Sequence, residues 1–132
     1  MAEMQCLVVT PEETAVDEMV TFVALPLFDG EKGVGIGHAP LIGRMGTGEL
    51  RLTTADGGIK RYFVDGGFVQ IADNVISIMS NRAIPASKLK VEEVQEQLKA
   101  AAEQKANSDE LLDARDKAVA TARAQLRVTE RS

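Results

Sequence analysis

A glycine-rich stretch at residues 30–38 holds the side chains with the clearest chemical potential, because it ends in the only histidine of the chain. Phosphate-binding loops of the Walker type place a Lys-Ser/Thr pair after their last glycine, but an Ile-Gly pair at 36–37 occupies that place. The dinucleotide-binding pattern G-x-G-x-x-G also fails, because His38 or Pro40 stands where its last glycine would be. We therefore interpret the stretch as a loop that crosses between strands, and not as a nucleotide site.

The two side chains most often used in catalysis, His38 and Cys6, lack the neighbours that catalysis needs. A general base requires a nucleophile or an orienting carboxylate beside it, and Asp65 and Asp73 stand in turn patterns instead. We expect a structural or interface role for His38, an inert buried thiol at Cys6 and no catalytic residue. One cysteine and one histidine also exclude a disulfide framework and a zinc site of these residue types, and we predict neither metal nor cofactor.

The overall charge and hydropathy exclude two classes of partner. The 132 residues carry a net charge of −5, which argues against nucleic acid, because nucleic-acid binding needs a basic surface. No stretch approaches the roughly 18 apolar residues of a membrane span, so we expect no direct membrane insertion. Residues 1–5 show no basic region followed by an apolar run, which argues against a signal peptide.

The elements that must position these residues divide into two parts of different composition. All 11 glycines lie between Gly30 and Gly67, whereas ten alanines and no glycine follow Pro85. Glycine and aromatic residues favour turns and strands, and alanine favours helices. Residues 1–84 carry 6 basic and 11 acidic side chains, and the remainder is neutral. We therefore predict two domains, at residues 1–84 and 85–132.

The first domain shows short apolar stretches separated by turn residues. Asp-Gly steps at 56–57 and 65–66 and an Asp-Asn step at 73–74 supply the positive φ angles that hairpin turns need. Strands this short and regularly spaced favour a β-sandwich or barrel. The predicted strands cover residues 5–10, 19–27, 50–54, 59–64, 68–71 and 75–79.

The second domain shows helical periodicity over residues 87–105 and 109–128. Ser87 is the expected N-cap of the first helix, and Asn107 or Ser108 that of the second. The short connection predicts an antiparallel hairpin. Because its facing residues are mostly alanine, the hairpin buries little apolar area and suits an element that changes shape. The residues predicted to face inward are Leu89, Val94, Leu98, Ala101, Ala102, Leu111, Ala114 or Arg115, Ala118, Ala122 and Leu126.

Basic side chains accumulate along the second helix, including Arg115, Arg123 and Arg127. Two interpretations remain open on sequence alone. Basic charge near a helix C-terminus interacts favourably with the helix dipole. The same charge would also bind an acidic surface on another protein.

Five motifs occur in an order that resembles one family, the epsilon subunit of F-type ATP synthase, called delta in mitochondria. Each motif alone is weak, but together they span nearly the whole chain. They are Gly-His-Ala-Pro-Leu at 37–41, Met-Gly-Thr-Gly-Glu-Leu-Arg at 45–51, Val-Asp-Gly-Gly-Phe-Val-Gln-Ile at 64–71, Asn-Val-Ile-Ser-Ile at 74–78 and Gln-Leu-Arg-Val at 125–128.

The resemblance implies an α+β architecture, in which an N-terminal all-β sandwich precedes a C-terminal antiparallel two-helix hairpin. It also implies a non-catalytic rotor subunit of the central stalk, peripheral to the cytoplasmic face of a bacterial inner membrane. Such subunits couple proton-driven rotation to ATP synthesis, and their helical hairpin restrains ATP hydrolysis. The alternative is a stand-alone β-sandwich module that binds another protein and carries a helical tail. An enzyme with His38 as its base is the least favoured interpretation.

The resemblance further implies three partners and the residues that meet them. The ring of c subunits would contact Asp29, Glu31 and Lys32. The gamma subunit would contact His38, Ala39, Pro40 and Leu41. The beta subunits would contact Arg115, Arg123 and Arg127.

One family motif is absent, since some members bind ATP in the hairpin through [IL]-D-x-x-R-A. The matching segment, residues 89–94, has Lys90 for the aspartate, Glu93 for the arginine and Val94 for the alanine. We therefore expect no ATP binding by this hairpin. The sequence does not distinguish H⁺ from Na⁺ as the coupling ion, nor which state of the hairpin prevails.

Overall fold

The computed structural model describes residues 3–103 and 109–130, and the chain divides into two compact units between Pro85 and Ala86. The second unit holds a turn of 3₁₀ helix, Ala86–Lys88, and two α-helices, α1 (Val91–Glu103) and α2 (Asp109–Glu130). The first unit holds ten strands: β1 (Met4–Val9), β2 (Thr14–Val20), β3 (Phe22–Leu27), β4 (Gly30–Gly35), β5 (Leu41–Arg44), β6 (Thr47–Thr53), β7 (Ile59–Asp65), β8 (Phe68–Ala72), β9 (Val75–Met79) and β10 (Ala83–Pro85).

The ten strands form two five-stranded sheets around one apolar core. Sheet A has the order β2-β1-β9-β8-β5 and sheet B the order β10-β7-β6-β3-β4. Neighbouring strands are antiparallel, except that β1 and β9 are parallel. Alternate side chains of both sheets point inward, as in a two-layer sandwich. The architecture confirms the predicted β-sandwich followed by two helices. Fully buried core residues include Val8, Leu25, Leu50, Leu52, Ile76 and Ile78.

The strand predicted over residues 19–27 is interrupted, because the chain leaves sheet A for sheet B at Thr21, but residues 22–27 do form a strand. The backbone amide of Thr21 donates to the carbonyl of Thr53 at 2.8 Å, and its hydroxyl donates to the same oxygen at 3.3 Å. These bonds end β2 and start β3. The strands β5 and β10 and most of β2 were also missed by the sequence pattern.

The predicted loop at 30–38 is also wrong over most of its length, because residues 30–35 form β4. This strand pairs with β3 from Leu27↔Gly30 to Phe22↔Gly35. Gly33 lies under the Phe22 ring, and a methyl group on Gly33 would approach that ring to 2.7 Å. Gly33 therefore admits an aromatic neighbour on the adjoining strand.

The turns follow the predicted Asp-Gly and Asp-Asn chemistry. Asp73 and Asn74 have φ angles of 51° and 60° between β8 and β9, as a type I′ turn requires. Gly67 has a φ of 98°, and a methyl group there would lie 1.7 Å from the carbonyl oxygen of Met79. Only glycine fits this close approach between the β7–β8 turn and β9.

Helix α1 begins later than predicted, at Val91. Its first intrahelical bond runs from the amide of Val94 to the carbonyl of Lys90 at 3.0 Å, and Ser87 lies in the preceding 3₁₀ turn. Ser87 is therefore not the N-cap. The predicted helix end at Lys105 and the predicted cap at residues 107–108 lie outside the described residues.

The two helices pack against each other, and only five residues separate them, so they form an antiparallel hairpin. The predicted inner face is confirmed at Val94 and Ala122, which are buried, and at Leu98, Ala101, Arg115 and Leu126, which are half-buried. Of the two alternatives Ala114 or Arg115, Ala114 is the exposed one. The prediction is wrong at Ala102 and Ala118, which are exposed, and Val119 is half-buried in place of Ala118. The prediction for Leu111 lies outside the residues whose burial the structure describes. The buried residues of the two helices are Val94, Ala122, Ala124, Gln125 and Val128.

Candidate interaction surfaces

The residues predicted to contact the c ring lie in the hairpin formed by β3 and β4. Asp29 is exposed in its two-residue turn, and Glu31 and Lys32 follow on β4. Successive side chains of a strand alternate in direction. Glu31 therefore points to the outer face of sheet B, whereas Lys32 points to the side that holds the core residue Val34. The structure brings Asp29 and Glu31 into one hairpin and separates Lys32 from Glu31.

Backbone hydrogen bonds fix the tip of this hairpin to the neighbouring connections of the sandwich. The amide of Phe28 donates to the carbonyl of Arg44 at 3.0 Å, and the amide of Gly46 donates to the carbonyl of Pro26 at 2.9 Å. The amide of Met45 donates in turn to Gly67 in the β7–β8 turn at 2.8 Å. The side chain of Phe28 is left 68% exposed at the tip. This end of the sandwich thus presents an apolar ring beside a carboxylate on a well-tethered backbone.

An ion-pair network connects Glu31 to the middle of sheet B. Arg51 on β6 lies 2.7 Å from the carboxylate of Glu31 and 3.3 Å from that of Glu49. Arg61 on β7 binds the other carboxylate oxygen of Glu49. The Glu49 side chain is only 5% exposed, so two guanidinium groups compensate its charge where solvent is largely excluded. Sequence analysis missed this network, although its motif at 45–51 contains both Glu49 and Arg51.

The predicted gamma contact, residues 38–41, lies at the opposite end of β4. The six residues of this strand separate it from Asp29 by about 20 Å. The His38 ring Nδ1–H donates to the carbonyl of Ala39 at 2.6 Å, and the preceding Gly37 amide donates to the Asn74 side chain at 2.8 Å. Among the described residues, no carboxylate or hydroxyl is hydrogen-bonded to the His38 ring. This geometry offers His38 no partner for general-base chemistry.

Within residues 38–41, side-chain exposure distinguishes Ala39 and Pro40 from Leu41. Ala39 and Pro40 are exposed. Leu41 is half-buried and packs against the sandwich core. The exposed side chain that follows it is Ile42, which is 78% accessible on the edge strand β5.

The outer face of sheet A carries an apolar row that sequence analysis missed. Val9, Met79 and Phe68 are register neighbours on β1, β9 and β8, and all three are exposed by 41% or more. A shallow cavity of about 350 Å³ lies along the same row. Apolar residues at the outward positions of alternating strands were the signal. We refer to Val9, Met79, Phe68 and Ile42 as the sheet A patch.

The three arginines predicted to meet the beta subunits occupy one side of α2. Arg123 and Arg127 are exposed, and Arg115 is half-buried with its Nε 3.7 Å from Asp116. Spacings of eight and four residues place the three on one side of a helix. The basic row is thus available on the surface of the hairpin, although its first member is partly engaged.

The pKa shifts in the sandwich are structural. Burial, reinforced by the nearby charge of Glu18, raises the pKa of the Cys6 thiol to about 12, as expected of an inert thiol. Burial also raises the pKa of Tyr62, and the ion pair with Glu18 raises that of Lys60. Within residues 3–103 and 109–130, no cluster of three or more His, Cys, Asp or Glu side chains could hold a metal ion. No helix in these ranges has the length and apolar character to cross a membrane.

Comparison with solved structures shows the same fold. A chain of the Euglena gracilis mitochondrial ATP synthase, in a structure of OSCP, F1 and c-ring, aligns with a TM-score of 0.77 at 21% identity, over 98% of this chain and 79% of that one. A chain from the central stalk and c-ring structure of the Tetrahymena thermophila mitochondrial ATP synthase aligns with a TM-score of 0.71 at 14% identity, over 97% of both chains.

Comparison of sequences identifies the family. The family model for the ATP synthase delta/epsilon chain β-sandwich domain matches residues 3–86. The ATP synthase epsilon chain of Rhodopirellula baltica is 48% identical, over 96% of this chain and 98% of the relative. That of Bordetella petrii is 34% identical, over 96% and 86%. These matches confirm the resemblance seen in the motifs, and the chain belongs to the epsilon chain family of ATP synthases.

Proposed function

We propose that this epsilon chain is a non-catalytic rotor subunit of the central stalk, which couples ion-driven rotation to ATP synthesis. The sheet A patch carries the proposal, because a row of exposed apolar side chains on one face of a well-packed sandwich is typical of a protein-binding surface. Family membership makes the other ATP synthase subunits the natural partners. The complex would be peripheral to the cytoplasmic face of the bacterial inner membrane.

The gamma subunit is the partner proposed for the sheet A patch and the adjoining residues 38–41. Ile42 joins the two surfaces, because it follows the His38 segment directly and is 78% exposed. Burial of the patch against gamma would remove apolar area from water, which is the main favourable term in association. The His38 segment would shape the edge of this contact, and the preceding Gly37 amide, which donates to the Asn74 side chain, would hold it in place.

A matched pair of isoleucine variants tests the gamma contact. We expect Ile42→Asp to abolish co-purification of the chain with gamma, because a carboxylate would be buried in the interface. Ile59→Asp is the control, since Ile59 is 63% exposed on sheet B, outside the patch. Loss of gamma in both variants or in neither contradicts the contact. An unmodified chain that never co-purifies with gamma would favour a stand-alone β-sandwich module.

The c ring is the partner proposed for the tip of the β3–β4 hairpin. Asp29 is exposed there beside Phe28, and Glu31 follows on the same hairpin. Carboxylates at a tethered tip can pair with basic groups on a polar loop, which favours a defined orientation between partners. Lys32 points to the other side of β4, so its part in the contact would differ from that of Glu31.

The helical hairpin is proposed to restrain ATP hydrolysis through contact of Arg115, Arg123 and Arg127 with an acidic surface of beta. Small buried residues such as Ala122 and Ala124 leave the hairpin with little apolar area to stabilise one arrangement. Such an element suits a switch between states of similar free energy. ATP is not its proposed ligand, because Lys90 and Glu93 stand at the key motif positions and lie 3.9 Å apart as an ion pair.

A deletion tests the restraint directly. A chain that ends at Ala86 keeps the whole sandwich, so we expect normal assembly of the complex and faster ATP hydrolysis. An inhibited state that holds half of the complexes predicts a rise of about twofold. The variant R115A/R123A/R127A should give a similar rise with the hairpin intact, whereas Lys117→Ala, on another side of α2, should not. Unchanged hydrolysis in the deletion contradicts the restraint.

A further inference from the structure

The charged side chains on the outer face of sheet B form a connected row that ends at the β3–β4 hairpin. Glu31 lies on β4, Arg51 and Glu49 on β6, and Arg61 on β7. Between β4 and β6 lies β3, so the Arg51 side chain must cross a whole strand to reach Glu31. The register places Ala24 of β3 beside Arg51, and the small side chain of Ala24 leaves the path open.

Arg51 is held from both sides. Its two terminal nitrogens bind different carboxylates, one on Glu31, whose side chain is 47% exposed, and one on Glu49, whose side chain is 5% exposed. An isolated exposed ion pair gains little, because two long side chains lose rotamer freedom to form it. Here the buried carboxylate has already ordered the guanidinium, so Glu31 meets a fixed partner.

The hairpin needs such a partner because β4 is the edge strand of sheet B. Its ladder bonds run to β3 alone, and its other edge is unpaired within the sheet. The bonds of Phe28 and Pro26 tether the tip on the side of β3. The Arg51–Glu31 ion pair ties the β4 side to the interior of the sheet, two strands away.

We propose that Arg51 is a positioning residue that acts through Glu31 and fixes the β3–β4 hairpin for contact with the c ring. The inference rests on the proposed function, in which the tip of this hairpin meets the ring. Arg51 itself lies on β6, away from the tip, so it acts on the position of the hairpin and not by touching the ring.

Cysteine cross-linking in the assembled ATP synthase measures that position. Phe28→Cys places a thiol at the exposed tip, opposite a cysteine introduced in the polar loop of the c subunit. We expect R51Q to lower the initial rate of cross-linking by about threefold, because it breaks the pair that anchors β4. R51K, which keeps the charge but cannot span two carboxylates, should give an intermediate rate. K60Q is the control, because Lys60 pairs with Glu18 elsewhere in the sandwich and should leave the rate unchanged.

Two further variants separate the outcomes. E31Q breaks the same pair without disturbing the buried Glu49, but it also removes a carboxylate from the proposed ring contact, so it should lower the rate at least as far as R51Q does. The double variant E31Q/R51Q should fall no further than E31Q alone, because Arg51 acts only through Glu31. Additive losses, or a full rate in E31Q, overturn the positioning role alone. A Phe28→Cys chain that never cross-links with Arg51 in place overturns the ring contact, and the positioning role with it.

Discussion

The sandwich and the helical hairpin differ in the size of the apolar side chains that they bury. The sandwich has a continuous core in which large aliphatic side chains such as Leu25, Leu50 and Ile78 are fully buried. In the two helices, among the residues whose burial is described, the buried apolar ones are valines and alanines, namely Val94, Ala122, Ala124 and Val128. Buried apolar area contributes about 25 cal/mol per Å², so the larger side chains give the sandwich much the greater stabilisation.

This difference fits the proposed roles of an anchor for the sandwich and of an adjustable element for the hairpin. A part that transmits torque must keep its partner surfaces in place, and a dense core of low compressibility does so. A part that changes arrangement must have states of similar free energy, which few and small buried side chains provide. The composition of the two cores therefore supports the two proposed roles, before any contact with a partner is considered.

The largest expected effect concerns the backbone of the sandwich. Gly67→Ala would drive a methyl group against the Met79 carbonyl. We expect this variant to lower the free energy of unfolding by about 4 kcal/mol. Gly57→Ala is the matched control, because its φ of 87° is also positive but its methyl group would meet open space. That variant should lose about 1 kcal/mol. Urea denaturation measures both, and equal losses would show that the close approach to β9 is not what requires glycine.

The second prediction compares the two regions directly. Leu52→Ala should cost about 3 kcal/mol of global stability, because it leaves a cavity in the sandwich core. Val94→Ala should lower the stability of the hairpin by about 1.5 kcal/mol. Amide hydrogen exchange should become faster in α1 and α2 and stay unchanged in the sandwich. Faster exchange throughout the sandwich in Val94→Ala would show that the two regions do not differ in this way.

The smallest expected effect depends on pH. The pKa of Cys6 is about 12 in the folded chain and near 9 when unfolded, so only the unfolded state ionises between these values. The free energy of unfolding should therefore fall by about 1.4 kcal/mol per pH unit as the pH rises above 9. Cys6→Ala is less stable at neutral pH but should show a flatter decline between pH 9 and 10.5. Parallel declines would mean that the thiol is not sealed in the core.

The parts of the fold fixed by local chemistry could be predicted from the sequence. The positive φ angles at residues 73–74 and 66–67 demand the residue types found there, so the turns and the strand Val75–Met79 came out correctly. β4 was missed, because glycines at 30, 33, 35 and 37 indicate a loop, and the reason for Gly33 is its packing against Phe22 of the neighbouring strand. The start of α1 was missed, because the sequence did not reveal the 3₁₀ turn before it.

The candidate interaction surfaces also divide into residues that local sequence predicts and residues that only the fold brings together. The tip residue Asp29 and the arginine row of α2 could be named from motifs, because local sequence carries them. The contact of Glu31 with Arg51 could not, because 20 residues separate them and only the insertion of β3 between β4 and β6 brings them together. The sheet A patch was visible only as outward positions of strands, whose pairing the sequence leaves undetermined.

The parallel pairing of β1 with β9 also sets an order of events during synthesis. β1 is an inner strand of its sheet, between β2 and β9, and its residue Gln5 pairs with Val75, about 70 residues later in the chain. Closing so long a loop costs conformational entropy before the contacts between β1 and β9 can form, and the pairing is therefore slow. The sheet therefore cannot be completed on the ribosome until β9 has emerged. Once β9 and β10 have emerged, the sandwich can finish folding while α2 is still being synthesised, so the two units can fold one after the other.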